Sequence, residues 1–360
     1  MTFPPDYFSA RRRFRDAAAG LGWTGSSCSV GPVGPQREDL TIDVAISTGT
    51  DSEQVLILSS GLHGVEGHFG SAVQLALMER WRQSKPPPGV RCVLIHALNP
   101  YGYAWSRRCD AENIDPNRNF LPAGAPFAGS PEHYAEVDPW LNPMRPPTRW
   151  DLFYPRALWA IARHGRPALE RTLVVGQHDF PKGLFFGGHG PSRTQLIVRE
   201  HLRSWIGGAN NVVHLDLHTG LGPSGMCQLL VDYPLSLAER EQLTKHFGPD
   251  AYRETGARGG VYQAAGSFGP WCVRERYAPH YLFAFAEFGT YGGLAVIAGL
   301  RRENQAHHWS RPGDPATTRA GMRLRELFCP RSGAWRARVL ENGLDLVGRA
   351  IAALRDRAPT

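Results

Sequence analysis

The chain has 360 residues, 42% hydrophobic and 20% charged, which is ordinary for a globular protein and long enough for one large α/β domain or two small ones. No run of about 18 apolar residues occurs, so no membrane span is expected. The net charge of +7 is almost all arginine, scattered without a basic stripe interleaved with aromatics, which argues against a nucleic-acid partner.

The opening MTFPPDYFSARRRFRDAAAGLG has no apolar signal core, so a cytoplasmic protein is expected. Residues 7–20 read as an amphipathic helix starting near Ser9. TIDVAIST (41–48) alternates as a strand does. QVLILSS (54–60) is continuously apolar, the mark of a strand covered on both faces. Residues 67–82 read as a helix that stops before SKPPPG, and VRCVLIHALNP (90–100) as a second buried strand. The stretch 121–155, rich in Pro, Trp and Gly, reads as a long irregular loop of the kind that serves function. Residues 156–175 suggest a helix followed by the strand RTLVV. TQLIVREHLRSWI (194–206) has helical spacing, and NVVHLDLHTG (211–220) is a strand that stops at glycine. LSLAEREQLTKHFG (235–248) is a helix, YLFAFAEFGTYGG (281–293) an apolar strand ending in an acid, and 335–356 a closing amphipathic helix.

Strands alternating with helices predict an α/β fold: a single three-layer domain over 1–360, with a mixed, mostly parallel sheet covered by helices on both faces. The six cysteines, at 28, 92, 109, 227, 272 and 329, show no CxxC spacing, so buried free thiols are expected.

Open α/β sheets do chemistry beyond the carboxyl ends of their strands. Residues 54–60 deliver His63 and Glu66 there, 90–98 deliver Asn99 and SRRCDAENIDPNRNF, 211–217 deliver Asp216 and His218, and 281–286 deliver Glu287. Two imidazoles and a carboxylate are the ligand set of a catalytic zinc site. Gly64 and Gly67 free the backbone around the HxxE turn. A further carboxylate is needed to take and return a proton, and Glu287 suits that part. Asp216 reads as an acid that caps a turn.

HGVEG, NPYGYAWSRRCDAENIDPNRNF, LDLHTG, VYQAAG and FAFAEFGTYGG, in this order, resemble the zinc carboxypeptidase (carboxypeptidase A-like) superfamily. The opening YFSARRRFRDAAAGLG and the loop GLFFGG are similar to an uncharacterised bacterial branch known only as a domain of unknown function. The resemblance covers roughly residues 5–350. It implies a zinc carboxypeptidase-like fold with one Zn2+ per chain held by His63, Glu66 and His218. It further implies that Glu287 activates water as general base and acid, and that Arg107 or Arg108 steadies the oxyanion. By the same resemblance Asn117 and Arg118 bind a terminal carboxylate, Asp115 orients a zinc histidine, and Tyr262 moves over the scissile bond. A guanidinium suits carboxylate recognition because it offers two parallel hydrogen bonds. Arg118 as a structural salt bridge and Tyr262 as a packed aromatic are the plain alternatives.

HGVEG departs from the usual HxREW, and DPNRN carries proline where leucine or alanine is common. Phe268 or Trp271 is expected to shape the pocket toward apolar side chains. The expected activity is zinc-dependent amide hydrolysis by a carboxypeptidase-type metallopeptidase, on a peptide with a free carboxylate. One alternative is an N-acyl amino acid deacylase resembling succinylglutamate desuccinylase and aspartoacylase, a reading the DLHTG form supports. Another is a metal- or ligand-binding relative without catalysis. Oligomeric state is left open.

Overall fold

The continuous apolar runs become the centre of one eight-stranded sheet. The computed structural model describes residues 2–48, 52–148, 150–254, 265–311 and 313–356, the Glu170 side chain excepted. The strands are β1 (Thr24–Val33), β2 (Asp39–Ile46), β3 (Gln54–Ser60), β4 (Arg91–His96), β5 (Asn211–Ser224), β6 (Cys227–Val231), β7 (Tyr252–Glu254) and β8 (His280–Gly289). Their order is β1-β2-β4-β3-β5-β8-β6-β7. The central ladders β4–β3, β3–β5 and β5–β8 are parallel, whereas β1–β2, β2–β4 and β8–β6 are antiparallel.

Every residue of β3 is buried. The reason is visible on β8, where alternate side chains meet different helices. Phe288 packs against Phe69 of the helix Gly67–Ser84, with ring centroids 4.8 Å apart, and Phe283 of opposite parity packs against Phe268 of the helix Phe268–Arg274. Helices therefore cover both faces. Burial of each such apolar side chain contributes roughly 1.5–3 kcal/mol. The mixed α/β fold expected from the strand–helix alternation is the fold observed.

The first helix spans Tyr7–Gly20 and begins two residues before Ser9, because the Asp6 side chain caps it by accepting the Ser9 N–H at 2.7 Å. Two readings of the middle of the chain are corrected. RTLVV is not a strand: its first four residues end the helix Arg166–Val174 and Val175 caps it, a helix that Pro167 opens and that Gly165, at φ +78°, separates from the helix Phe153–His164. Thr172 suits that helix because its hydroxyl donates to Ala168 O, one turn back. The stretch 121–155 is not wholly irregular, since Tyr134–Leu141 is helical and Tyr134 donates its buried hydroxyl to Leu184 O. All six cysteines are free. No helix among the described residues is long and apolar enough to cross a membrane.

Candidate metal centre

The HGVEG turn is held by its own backbone. After β3 the chain makes one turn of 3₁₀ helix, Gly64–Glu66, and runs straight into the helix Gly67–Ser84. Gly64 donates its N–H to Arg108 O at 3.1 Å and Val65 donates to Arg107 O at 2.7 Å. A Cβ on Gly64 would lie 2.1 Å from the backbone of Gly102, so only glycine lets these two segments touch. His63 and Glu66 are thereby fixed on one side of the turn, and both are buried.

His218 reaches the same place from β5. His63, Glu66 and His218 each offer a donor atom, and the three atoms lie within 4.8 Å of one another. His63 Nδ1 is 2.8 Å from Glu66 Oε1, and His218 Nδ1 is 3.2 Å from Glu66 Oε2. The two rings meet edge to face with centroids 4.9 Å apart. Each imidazole turns its other nitrogen to an acid: His63 Nε2 lies 3.3 Å from Asp115 Oδ1, and His218 Nε2 lies 2.6 Å from Asp216 Oδ2. This is the pattern of metal-binding histidines, whose second nitrogen is tied to a carboxylate that fixes ring orientation. Two nitrogens, a carboxylate and buried backing acids fit a tetrahedral cation such as zinc, whose donors stand roughly 3–3.5 Å apart.

The charges reinforce one another. Burial pushes the Glu66 carboxyl up, but His63 and His218 outweigh it and hold the group well below the usual range. Burial lowers His218, yet Asp216 and Glu66 together hold it well above the usual imidazole value. Asp115 is raised by burial and then carried far down by Arg108, His63 and Arg118. The positive charge of His218 offsets the negative charges of Glu66 and Asp216, and Arg108 offsets Asp115, which is how so many buried charges are tolerated.

Glu287 is the direct register partner of His218 across β5 and β8. It accepts the Leu221 N–H at 2.8 Å. Burial and the charge of Glu66 raise its carboxyl to about 7, the range suited to proton exchange near neutrality.

The adjacent arginines point apart. Arg107 is 2% exposed; its Nε lies 2.7 Å from Glu303 Oε1, and its Nη2 donates to Asn113 Oδ1. Arg108 turns to the cluster, with Nε 2.9 Å from Asp115 Oδ2 and Nη1 3.9 Å from Glu66 Oε1. Arg118 lies near it, since both guanidinium carbons sit over the Phe185 ring, at 5.5 and 5.7 Å. Burial lowers Arg118 to about 10, still charged at neutral pH. The Asn117 side-chain oxygen accepts Phe268 N–H at 3.0 Å, so this side chain anchors the helix Phe268–Arg274. Tyr262 lies outside the described residues.

The structure adds residues and corrects others. Asp216, read as a turn cap, is fully buried and bound to His218; the signal was its position two residues before His218, on the same face of a strand. Phe185, in GLFFGG, takes a left-handed φ of +58° and lies beneath both guanidinium groups. Asp232, just past β6, accepts the Ser267 hydroxyl, and burial raises its carboxyl to about 6. Phe268 and Trp271, expected to shape a pocket, are instead wholly buried, Phe268 edge-on to His214.

Among solved structures the chain is similar to bovine thrombin-activatable fibrinolysis inhibitor in complex with tick carboxypeptidase inhibitor, at 11% identity and TM-score 0.55, over 98% of each chain. It is also similar to carboxypeptidase A from Helicoverpa armigera, at 14% identity and TM-score 0.47, over 88% of this chain and 73% of that one. A metallo-carboxypeptidase from Burkholderia cenocepacia gives 13% identity and TM-score 0.41, over 92% and 68%. At such identities the first likeness establishes a carboxypeptidase-like fold. No curated protein matches the chain. A family model, described as protein of unknown function (DUF2817), matches residues 3–342, and the chain belongs to that family.

Proposed function

We propose that the protein is a zinc-dependent hydrolase of amide bonds, of carboxypeptidase type, acting on a substrate with a free carboxylate. The observation that carries this reading is the convergence of His63, Glu66 and His218, each imidazole backed by its own acid, beside Glu287, the register partner of His218. His63, Glu66 and His218 would hold the ion, one per chain. A divalent cation there would acidify water and polarise a carbonyl. Glu287 takes a proton from the attacking water and returns it to the leaving amine. Arg108 faces the developing negative oxygen, where a fixed positive charge favours the transition state over the ground state. Arg118 grips the substrate carboxylate, and Asn117 holds the segment that presents it.

Deacylation of N-acyl amino acids is the second reading. It is favoured by the Asp-Leu-His order on β5, which places Asp216 behind His218. A panel separates the two: peptides with free and with amidated C-termini, beside N-acetyl and N-succinyl amino acids, incubated with zinc-loaded protein. Cleavage of free-carboxylate peptides only, lost in Glu287→Gln, supports the carboxypeptidase reading. Cleavage of acyl amino acids alone selects the deacylase. No turnover of any substrate by protein with full zinc content would overturn both.

A further inference from the structure

Behind Asp216 the polar chain does not stop. Ser59 of β3 is the register partner of Asp216 on β5, and its hydroxyl lies 2.6 Å from Asp216 Oδ1. The same hydroxyl lies 2.8 Å from His214 Nε2, and His214 Nδ1 lies 2.9 Å from the Tyr281 hydroxyl. His214, Asp216 and His218 alternate along one strand and so share a face. Ser59, His214 and Asp216 are fully buried, and Tyr281 is 5% exposed.

The direction of every bond follows from elementary bookkeeping of protons. A carboxylate only accepts. His218 therefore donates Nε2–H to one Asp216 oxygen, and Ser59 donates its hydroxyl to the other. Ser59 has no second proton, so it accepts from His214, which must carry hydrogen on Nε2. A neutral ring has none left for Nδ1, which accepts from Tyr281. Burial lowers His214 to about 4, so the ring is neutral at physiological pH. At the far end the Tyr281 hydroxyl meets the thiol of Cys272, which is fully buried. The chain thus runs through buried side chains, each held by its neighbours, and so can fix orientation.

We infer that Ser59, His214 and Tyr281 are positioning residues: through Asp216 they lock the His218 ring so that its Nδ1 lone pair faces the cation site. The inference rests on the metal reading above. Without Ser59, Asp216 loses one of its two side-chain donors and is free to rotate, and His218 loses the fixed partner that selects its tautomer.

The test uses the full chain stripped of metal and titrated with Co2+ against a competing chelator, far below its melting temperature. Wild type takes up one ion. Ser59→Ala, shown to be folded by circular dichroism, is expected to bind roughly 10–100-fold more weakly. Tyr281→Phe, one link further away, is expected to weaken binding less. Nitrogen-15 NMR of the wild-type histidines should find His214 in the Nε2–H form, and Tyr281→Phe should shift its Nδ1 resonance. Unchanged cobalt affinity in Ser59→Ala, or His214 protonated at Nδ1, would overturn the positioning role while leaving the metal site intact. If Ser59→Ala does not fold, unchanged affinity in Tyr281→Phe has the same force. Wild-type protein that binds no cobalt would instead overturn the metal reading, and this inference with it.

Discussion

Replacing Glu287 by glutamine should cost activity and increase stability, and the two effects have one cause. The carboxyl is buried beside Glu66, and these two influences raise it from an ordinary 4.5 to about 7. A carboxyl whose folded value exceeds its unfolded one leaves stability intact below about 4.5 and removes it as pH rises through about 7. By pH 8 the gap corresponds to about 3 kcal/mol lost by the metal-free protein. Glutamine carries no charge and keeps an oxygen for the Leu221 N–H. Metal-free Glu287→Gln should therefore exceed wild type by about 3 kcal/mol in urea denaturation at pH 8 and by less than about 1 kcal/mol at pH 5. For a chain of this size that is roughly 4 °C in melting temperature at pH 8. With zinc bound, the same variant should retain the ion and lose roughly 10²–10⁴-fold in turnover, the share that a general base supplies. A stability difference that does not change with pH, or full activity in the variant, would refute the reasoning.

The two neighbouring arginines should differ in their effect on turnover. Arg107→Met leaves Glu303 buried without its partner and should destabilise the fold by about 3–5 kcal/mol, with the folded fraction turning over at the wild-type rate. Arg108→Met strips buried Asp115 of its guanidinium partner and so also costs stability, but in addition it should lower kcat/KM of the folded fraction roughly 10²–10³-fold, as loss of an oxyanion donor does; comparing denaturation midpoints with initial rates for both variants checks the division. Burial holds His96 and His214 at about 4, below the ordinary 6.5. Stability from these rings is complete above about 6.5 and is lost as pH falls toward 4, by about 2 kcal/mol per ring at pH 5. Denaturation of His96→Gln between pH 7 and 5 should show a correspondingly shallower decline than wild type. Removal of metal by a chelator should abolish hydrolysis and leave the far-ultraviolet spectrum unchanged, because Glu66 stays paired with both imidazoles.

What the sequence made legible was whatever follows from local chemistry. QVLILSS announces a doubly covered strand, and the glycine-fenced turn after it announces a backbone that must come close to something. The edges of the sheet were not legible in the same way. β1 reads TGSSCSVGPV and is largely exposed; it is a strand because β2 pairs with it, not because its residues prefer one. RTLVV has strand-forming residues, but Pro167 and the Gly165 break had already started a helix, and no neighbouring strand was available. The same division holds at the site. His63, Glu66, His218 and Glu287 carry types and positions that point to metal chemistry. The choice between Arg107 and Arg108 depends on which side of one peptide segment faces the HGVEG turn, a tertiary fact. Ser59 is a small polar residue in an apolar strand, and only its register opposite Asp216 gives it meaning.

The central claim is that two distant segments of the chain, the HGVEG turn and β5, share one divalent cation. Crystals of the zinc-loaded protein, measured on both sides of the zinc absorption edge, test it directly. The account predicts one anomalous peak per chain, bounded by His63 Nδ1, a Glu66 oxygen and His218 Nδ1. A zinc-replete crystal with no peak there, or with its peak among other residues, would contradict it.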